Sequence, residues 1–296
     1  MGTNPGAPSF IEENDIKTGL KKTELKKISG ELPFLLKLLA VEKPLSIQVH
    51  PGKKQALEGF KIENKNKINL DSPQRNYKDK NSKCEILCAL TPFTLMAGFR
   101  KPEEILASFS RASDEQNALI QKLKNIYPND RAVYAPLYLN IVSLKPGQAV
   151  YLPAGIPHSY ISGLGIELMD NSDNVLRGGL TPKHIDINEL NRIVNIEPFY
   201  PDIMTPGSEV LHNFNVPADF SLSIVRGKGK NIKFCAEKPS ICAVTEGELK
   251  INDLIFKKNE SFFIQCKNKN AIIELNGNFT MFSAKQNLKN NKRAVV

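Results

Sequence analysis

The stretch GQAVYLPAGIPH, residues 147–158, decides the fold of this chain. Gly147 follows a proline in a predicted tight turn, and the residues around Tyr151 form a strand that leads away from it. The two prolines and the glycine that come next are typical of a sharp bend, which directs the imidazole of His158 towards the interior of a β structure. The stretch therefore predicts a turn, a strand, a bend and an inward-facing histidine in that order.

The spacing Gly-x5-Pro-x-Gly-x2-His resembles the second sequence signature of the cupin barrels. Taken alone, His158 is better explained as a core histidine with satisfied nitrogens than as a metal ligand. Two other β-like segments change that balance, because one carries Gln48 and His50 and the other carries Lys83 and Glu85. Three segments that each supply donors to one ligand set favour a metal site.

The side chains of this set suit a first-row divalent cation. Alternate residues of a strand face the same way, so Ser46 shares a face with Gln48 and His50, and Lys83 shares one with Glu85. Imidazole nitrogen, carboxylate oxygen and amide oxygen all bind such cations, and the set contains no thiolate. The predicted occupant is therefore Zn²⁺ in an open, catalytic geometry.

Four stretches make the chain similar to the type I phosphomannose isomerases over residues 2–283. They are LPFLLK at 32–37, KPLSIQVHP at 43–51, MAGFR at 96–100 and DNVLRGGLTPK at 173–183. The resemblance implies a zinc-dependent isomerase that interconverts mannose 6-phosphate and fructose 6-phosphate through an enediol. It also implies one Zn²⁺ per chain, with Gln48, His50, Glu85 and His158 as ligands.

The isomerisation moves a proton between adjacent carbons, so it needs a cation at the sugar oxygens, a base and an anchor for the phosphate. Arg177 is predicted to stabilise the developing enediolate, and the alternative is a structural ion pair with Asp173. Lys83 faces the same cavity as Glu85, where a nearby cation favours the neutral amine. It is therefore a candidate proton shuttle.

The remaining predicted site residues come from the resemblance. Lys37, a charge inside an apolar run, and Lys183 resemble substrate-contacting lysines, and Lys183 is the expected phosphate partner. Ser46 and Tyr160 match positions that line the substrate site. Glu167 and Asp173 are predicted acid–base residues, although orientation of neighbouring lysines and histidines explains them equally well.

The amino-acid composition indicates which kinds of molecule this protein binds. Forty Lys and Arg residues against thirty-one Asp and Glu give a formal charge of +9, which suits a small anionic substrate such as a sugar phosphate. The basic residues are scattered in lysine- and asparagine-rich tracts without interleaved aromatics, so neither nucleic acid nor a membrane is an expected partner. Five cysteines without a CxxC motif, no secretory segment and no apolar run of membrane length predict a cytoplasmic protein with reduced thiols. A monomer is expected.

The predicted fold is mainly β, with a cupin-type jelly-roll catalytic barrel, a short helical insert and a second, C-terminal jelly-roll domain. The catalytic domain covers residues 1–100 and 131–195, the insert 101–130 and the second jelly roll 196–296. Pro102 begins one helix of the insert, and Ser113 with Gln116 caps the next. In the second domain, turns are predicted at Glu246-Gly247, between strands 241–245 and 249–251, and at residues 276–278.

Two departures from the family pattern bear on activity: retention of every ligand favours the active isomerase, and the missing front favours a rival function. The family sequence His-Lys-Pro-Glu is replaced by Ser82-Lys83-Cys84-Glu85, which is expected to slow proton transfer. Residues 1–9 resemble a segment that normally lies several strands into the protein, so the chain is expected to lack its first strands, expose a sheet edge and catalyse weakly. The alternative function is thus an N-terminally truncated, weakly active or inactive metal-binding cupin that binds sugar phosphate. An Fe(II) oxygenase is disfavoured, because Arg177 and Lys183 would then have no role.

Overall fold

The computed structural model describes residues 1–15, 19–229, 231–266 and 271–287. The chain divides into two compact units. The first comprises Met1–Lys37, Leu168–Asn171 and Pro206–Val296, and the second comprises Leu38–Glu167 and Ser172–Thr205. The domain boundaries expected from the sequence stay a prediction.

Most of the second unit is built on one large sheet, which nearly closes into a barrel. The strands are β3 (Phe34–Val41), β4 (Ile47–Val49), β5 (Glu85–Ala89), β6 (Phe93–Phe99), β7 (Leu139–Leu144), β8 (Ala149–Leu152), β9 (His158–Asp170), β10 (Leu176–Gly179) and β11 (Ile203–Met204). Their order in the sheet is β10, β4, β9, β5, β8 and β11, while β3 and β6 also pair with β9, and β7 pairs with β6. The mainly β fold predicted from the sequence is confirmed.

The two faces of this sheet pack into different cores, as the alternation of side chains on a strand requires. On β6, Leu95 and Ala97 pack into a cluster with Phe93, Val150 and Tyr160. Met96, between them, packs into a second cluster that includes residues of the helical insert. The sheet is therefore buried on both sides near the start of β9, where the polar residues of the predicted site lie.

The helical segments match the sequence prediction where it was most specific. Helix α3 (Pro102–Ser110) begins at the predicted proline, and α4 (Asp114–Ile126) is capped by Ser113, whose hydroxyl accepts the Gln116 N–H. Among the described residues, no helix is long and apolar enough to cross a membrane. The other helices are α1 (Leu25–Ser29), α2 (Lys53–Lys65), a 3-10 helix (Arg131–Leu137) and α5 (Ile187–Ile193).

The first unit is built from antiparallel strands. They are β1 (Phe10–Asp15), β2 (Gly19–Glu24), β12 (Leu211–Phe214), β13 (Phe220–Lys228), β14 (Ile232–Ala236), β15 (Ser240–Ile251), β16 (Leu254–Lys257), β17 (Ser261–Ile264), β18 (Ala271–Leu275) and β19 (Asn278–Gln286). The order in the main sheet is β12, β13, β19, β15 and β16, with β17 paired to β15. Separate two-stranded sheets join β1 to β2 and β14 to β18.

One predicted turn in this unit is wrong. Glu246 and Gly247 lie inside β15, where a register shift against β19 between Val244 and Glu246 marks a bulge. Gly247 has a φ of +71°, and a Cβ at this position would lie 1.9 Å from the backbone oxygen of Asn278. The glycine therefore permits a bulge and a close approach of two strands, a role that the sequence pattern does not distinguish from a turn.

Candidate metal centre

Three of the four predicted ligands meet in the second unit. His50 directly follows β4, Glu85 is the first residue of β5 and His158 is the first residue of β9. The ligand atoms of all three lie within 4.8 Å of one another, and all three residues are buried. The two oxygens of Glu85 divide between the histidines, because Oε1 lies 3.1 Å from His50 Nε2 and Oε2 lies 3.3 Å from His158 Nε2.

The hydrogen bonds of both histidines fix their tautomers. His50 Nδ1 lies 2.8 Å from the carbonyl oxygen of Asn174, and His158 Nδ1 lies 2.9 Å from the carbonyl oxygen of Ile156. A carbonyl only accepts, so each Nδ1 carries a proton and Nε2 is the nitrogen of each ring that is left to bind a cation. These two Nε2 atoms are buried and have no hydrogen-bond partner among the described residues.

The charges around the cluster reinforce this arrangement. Burial, followed by the charge of Lys83, lowers the pKa of His50 to about 4, so its ring is neutral near pH 7. Burial alone would raise the pKa of the Glu85 carboxyl, but the nearby Lys83 and His50 hold it well below its usual range. Lys83 Nζ lies 3.1 Å from Glu85 Oε1, and the Lys83 N–H donates to the carbonyl of Pro51. Glu85 is therefore a carboxylate.

The cluster fits a divalent cation. The two imidazole Nε2 atoms face the two oxygens of the Glu85 carboxylate at 3.1 and 3.3 Å, and lone pairs this close repel one another unless a cation or a proton lies between them. Each imidazole is held through its other nitrogen by a carbonyl, as is usual for metal-binding histidines. The set is nitrogen and oxygen without sulfur, which suits Zn²⁺.

Gln48, the fourth predicted ligand, lies in register with two other site residues. It is the Cα partner of His158 in the β4–β9 pair and of Arg177 in the β10–β4 pair. Directly opposed residues of antiparallel strands project from the same face of the sheet. Gln48 thus shares a face with His158 on one side and with Arg177 on the other, although its ligand role stays a prediction.

Tyr160 and Glu167 extend the cluster into the core. Tyr160, only 3% exposed, donates from its hydroxyl to Glu85 Oε2 at 3.0 Å. Burial, with the neighbouring Glu85 and Glu167 carboxylates, raises the pKa of Tyr160 well above its usual value. The tyrosine therefore links two buried carboxyl groups, and its predicted contact with substrate stays a prediction.

The remaining predicted site residues lie outside the cluster of the three candidate ligands. Arg177 is half-buried, its pKa is lowered by burial, and its guanidinium has no ion pair or hydrogen bond among the described residues. The structural ion pair with Asp173 is thus not seen there. Asp173 and Lys183 are exposed and Ser46 is half-buried ahead of β4. Lys37 lies on β3, and its ammonium donates to Met169 Sδ at 3.0 Å.

Sequence reasoning missed Asp79, Ser172 and Asn174. Asn174 supplies the carbonyl that orients His50, and Ser172 and Asn174 are fully buried polar residues. A signal was present, because the polar run Asn171-Ser172-Asp173-Asn174 follows a strand directly and precedes Arg177. The side-chain partners of this run lie about ninety residues earlier in the chain, so no local pattern could identify them.

Comparison with known proteins places the chain in a family. The family model of the phosphomannose isomerase type I catalytic domain matches residues 1–102. A mannose-6-phosphate isomerase of Escherichia coli K12 is 34% identical, with 94% of this chain and 88% of that protein covered. This chain belongs to the type I phosphomannose isomerases.

Solved structures of the family agree with this assignment. A zinc-bound mannose 6-phosphate isomerase superposes on this chain with a TM-score of 0.82 and 30% sequence identity. The alignment covers 97% of this chain and 90% of that protein. The Salmonella typhimurium enzyme bound to fructose 6-phosphate and zinc gives the same TM-score, identity and coverage. These likenesses confirm the cupin-type fold that the signature at residues 147–158 predicts.

Proposed function

We propose that this chain is a zinc-dependent aldose–ketose isomerase that interconverts mannose 6-phosphate and fructose 6-phosphate through an enediol. The observation that carries the proposal is the pair of unpartnered Nε2 atoms of His50 and His158 facing the Glu85 carboxylate. Its support from relatives is the 34% identity to the E. coli mannose-6-phosphate isomerase and the zinc- and sugar-phosphate-bound Salmonella structure.

His50, Glu85 and His158 would hold the ion, and Gln48 would complete the set through its amide oxygen. When bound, zinc with an open coordination position would act as a Lewis acid towards the oxygens of the sugar. The ring of each histidine is held by a main-chain carbonyl, so the ligands are oriented before the ion binds.

Arg177 and Lys83 each lie next to a member of this set, Arg177 opposite Gln48 and Lys83 beside Glu85. Arg177 is opposite Gln48 and has an unpaired guanidinium among the described residues, so it is available to bind the substrate oxygens as negative charge develops on them. Lys83 is buried beside Glu85, where it can hold or move a proton at the sugar hydroxyls. The aldose loses a proton from C2 and one from the hydroxyl at C2, and the ketose gains one at C1 and one on the oxygen of C1, so the net reaction consumes no proton.

The other residues are given supporting roles. Glu167 is buried and reaches Tyr160, so orientation of Glu85 through the tyrosine is favoured over direct acid–base work for this carboxyl. Asp173 is exposed at the start of the segment that carries Arg177 and remains a candidate acid–base residue. Lys183 is exposed beyond β10 and is the proposed phosphate partner, with Lys37 and Ser46 as further substrate contacts.

The test is isomerisation of mannose 6-phosphate by the zinc-loaded chain in D₂O, followed by NMR. An enediol path that exchanges its proton with solvent introduces deuterium at C1 of fructose 6-phosphate. Turnover that is lost with EDTA and restored by zinc supports the proposal. A folded, zinc-loaded chain without turnover would overturn it.

A second candidate function is a metal-binding cupin that binds sugar phosphate without appreciable turnover. Ser82 favours it, because a hydroxyl stands directly before Lys83 where the family pattern has an imidazole. In that case sugar phosphate binds to the zinc-loaded chain in calorimetry while the isomerase assay stays at background, and Ser82→His is expected to raise turnover.

The cellular setting is also proposed. The scattered basic residues and the five unbridged cysteines support a cytoplasmic protein that binds neither nucleic acid nor membrane. A monomer is proposed, and light scattering of the purified chain tests it.

A further inference from the structure

The metal cluster is backed by a compact hydrogen-bonded unit formed by two loops. One loop covers residues 78–81 and leads directly to Lys83 and Glu85. The other covers residues 172–174 and leads to Arg177. Asn174 lies where these loops meet and is fully buried.

The side-chain amide of Asn174 is saturated by the first loop. Its Oδ1 accepts the N–H groups of Lys78 at 2.7 Å and of Asp79 at 3.1 Å. Its Nδ2 donates to the carbonyl oxygens of Asp79 at 3.0 Å and Asn81 at 2.9 Å, and lies 3.2 Å from Asp79 Oδ1. Only an amide both accepts and donates in this way, so the position selects asparagine.

Further contacts lock the two loops together. Ser172 Oγ lies 2.9 Å from Asp79 Oδ1 and accepts the Asn174 N–H at 3.2 Å. The Asp173 N–H donates to Asp79 Oδ2 at 2.9 Å. The carboxylate of Asp79 therefore receives donors from the second loop while its backbone is held by Asn174.

The same residue reaches the metal cluster directly. The carbonyl oxygen of Asn174 accepts the Nδ1–H of His50 at 2.8 Å, which sets the tautomer and the ring angle of that histidine. Its side chain fixes the loop that positions Glu85, and its main chain fixes His50. The two ligands come from segments that are far apart in sequence, and Asn174 is bonded to both sides.

We infer that Asn174 is a positioning residue: its carbonyl aims His50 and its amide holds loop 78–81, so that one buried residue sets His50 and Glu85 at metal-binding distance. The inference rests on the proposed metal site. It concerns affinity for the ion and the geometry of the site, and it gives Asn174 no contact with substrate.

The test is Asn174→Asp, with the exposed Asn125→Asp on α4 as a control of equal charge change. The aspartate keeps the shape but replaces the Nδ2 donor by an oxygen that faces two carbonyls and a carboxylate. We expect the zinc dissociation constant, measured by competition with a chelating dye, to rise about 10- to 100-fold. We also expect an altered visible absorption spectrum of the Co²⁺-substituted protein, since the His50 ring is no longer held at its angle. Asn125→Asp leaves both unchanged.

Ser172→Ala keeps the test decisive if Asn174→Asp does not fold. It removes one hydroxyl from the same unit, and a smaller rise in the zinc dissociation constant with a shifted Co²⁺ spectrum supports the inference. A folded variant with the affinity and spectrum of the unaltered protein overturns it. If the unaltered protein binds metal and Asn174→Asp binds it equally, only the positioning role fails. If the unaltered protein binds neither ion, the metal site itself fails.

Discussion

Arg177 lies directly opposite Gln48 in the antiparallel pair of β10 and β4, and the register shifts between Arg177 and Gly179. A bulge next to a site residue bends the strand and redirects its side chain. The guanidinium is therefore carried on a bent strand end beside the amide of a predicted ligand, without an ion pair among the described residues. The positive charge of Arg177 therefore lies beside a predicted ligand, and no ion pair among the described residues has to break before it can bind a substrate.

Replacement of Arg177 is expected to reduce turnover while zinc stays bound. We expect Arg177→Gln to lower kcat about 100- to 1,000-fold, because a donor to developing negative charge is lost in a site shielded from water. Zinc content, measured by elemental analysis, should stay at the level of the unaltered chain. Arg111→Gln, at an exposed arginine after α3, is the matched control. An Arg177→Gln enzyme with unchanged kcat would remove this residue from the mechanism.

Zinc content should depend on His158 and not on every histidine. The purified chain is expected to hold roughly one zinc. His158→Ala removes one of the two buried Nε2 atoms that are expected to bind the metal. The variant should lose most of its zinc, as elemental analysis after dialysis will show. His184→Ala, at an exposed histidine, should keep it. Full retention of zinc by a folded His158→Ala variant contradicts the assignment.

Lys183 is expected to contribute to phosphate binding. Loss of a charge-assisted hydrogen bond costs about 1.5–3 kcal/mol, so Lys183→Gln should weaken mannose 6-phosphate binding about 10- to 100-fold in titration calorimetry. Binding of unphosphorylated mannose should not change. Lys122→Gln on α4 is the control, since Lys122 is also an exposed lysine. Equal affinity of the unaltered chain for mannose and mannose 6-phosphate would show that Lys183 serves another purpose.

Substitutions at Gly247 and Gly30 distinguish the effect of backbone strain on stability from the effect of a steric clash. Both have a φ of +71°, but a Cβ on Gly247 would meet the Asn278 backbone oxygen at 1.9 Å, whereas one on Gly30 meets nothing within 4 Å. We expect Gly30→Ala to lower the free energy of unfolding by about 1 kcal/mol through strain. Gly247→Ala adds a clash of roughly 1–3 kcal/mol. Denaturant unfolding measures both, and equal losses would contradict the bulge in β15.

The thiols of the first unit should differ in reactivity. Burial raises the pKa of Cys242 to about 12, so only roughly one in ten thousand of these thiols is a thiolate at pH 8. Cys235 is exposed. Iodoacetamide at pH 8 is therefore expected to modify Cys235 and to spare Cys242, as peptide mass spectrometry will show. In denaturant both should react, and modification of Cys242 in the folded chain would contradict its burial.

Much of this architecture follows from local patterns. The signature at residues 147–158 is a strand, a bend and a histidine within one short segment, and the structure has β8, the bend with Gly155 at a φ of +87°, and His158 at the start of β9. The helix starts were also predictable from local sequence, because proline has a φ that suits the first helical position at Pro102 and the capping pair after Ser113 is only three residues apart. The grouping of His50, Glu85 and His158 was predictable from their side-chain chemistry, whereas the ligand role of Gln48 stays a prediction.

The tertiary structure alone decided how distant segments meet. His50 and Asn174 are 124 residues apart, and their hydrogen bond depends on the folding of two loops against each other. The hydrogen bond from Tyr160 to Glu85 and the position of Gln48 between His158 and Arg177 depend on strand register in the same way. The sequence determined which groups this protein has and which strands carry them, since propensity, turn chemistry and alternation are local. Which of these groups face each other at 3 Å was decided by long-range pairing and packing, which no single segment encodes.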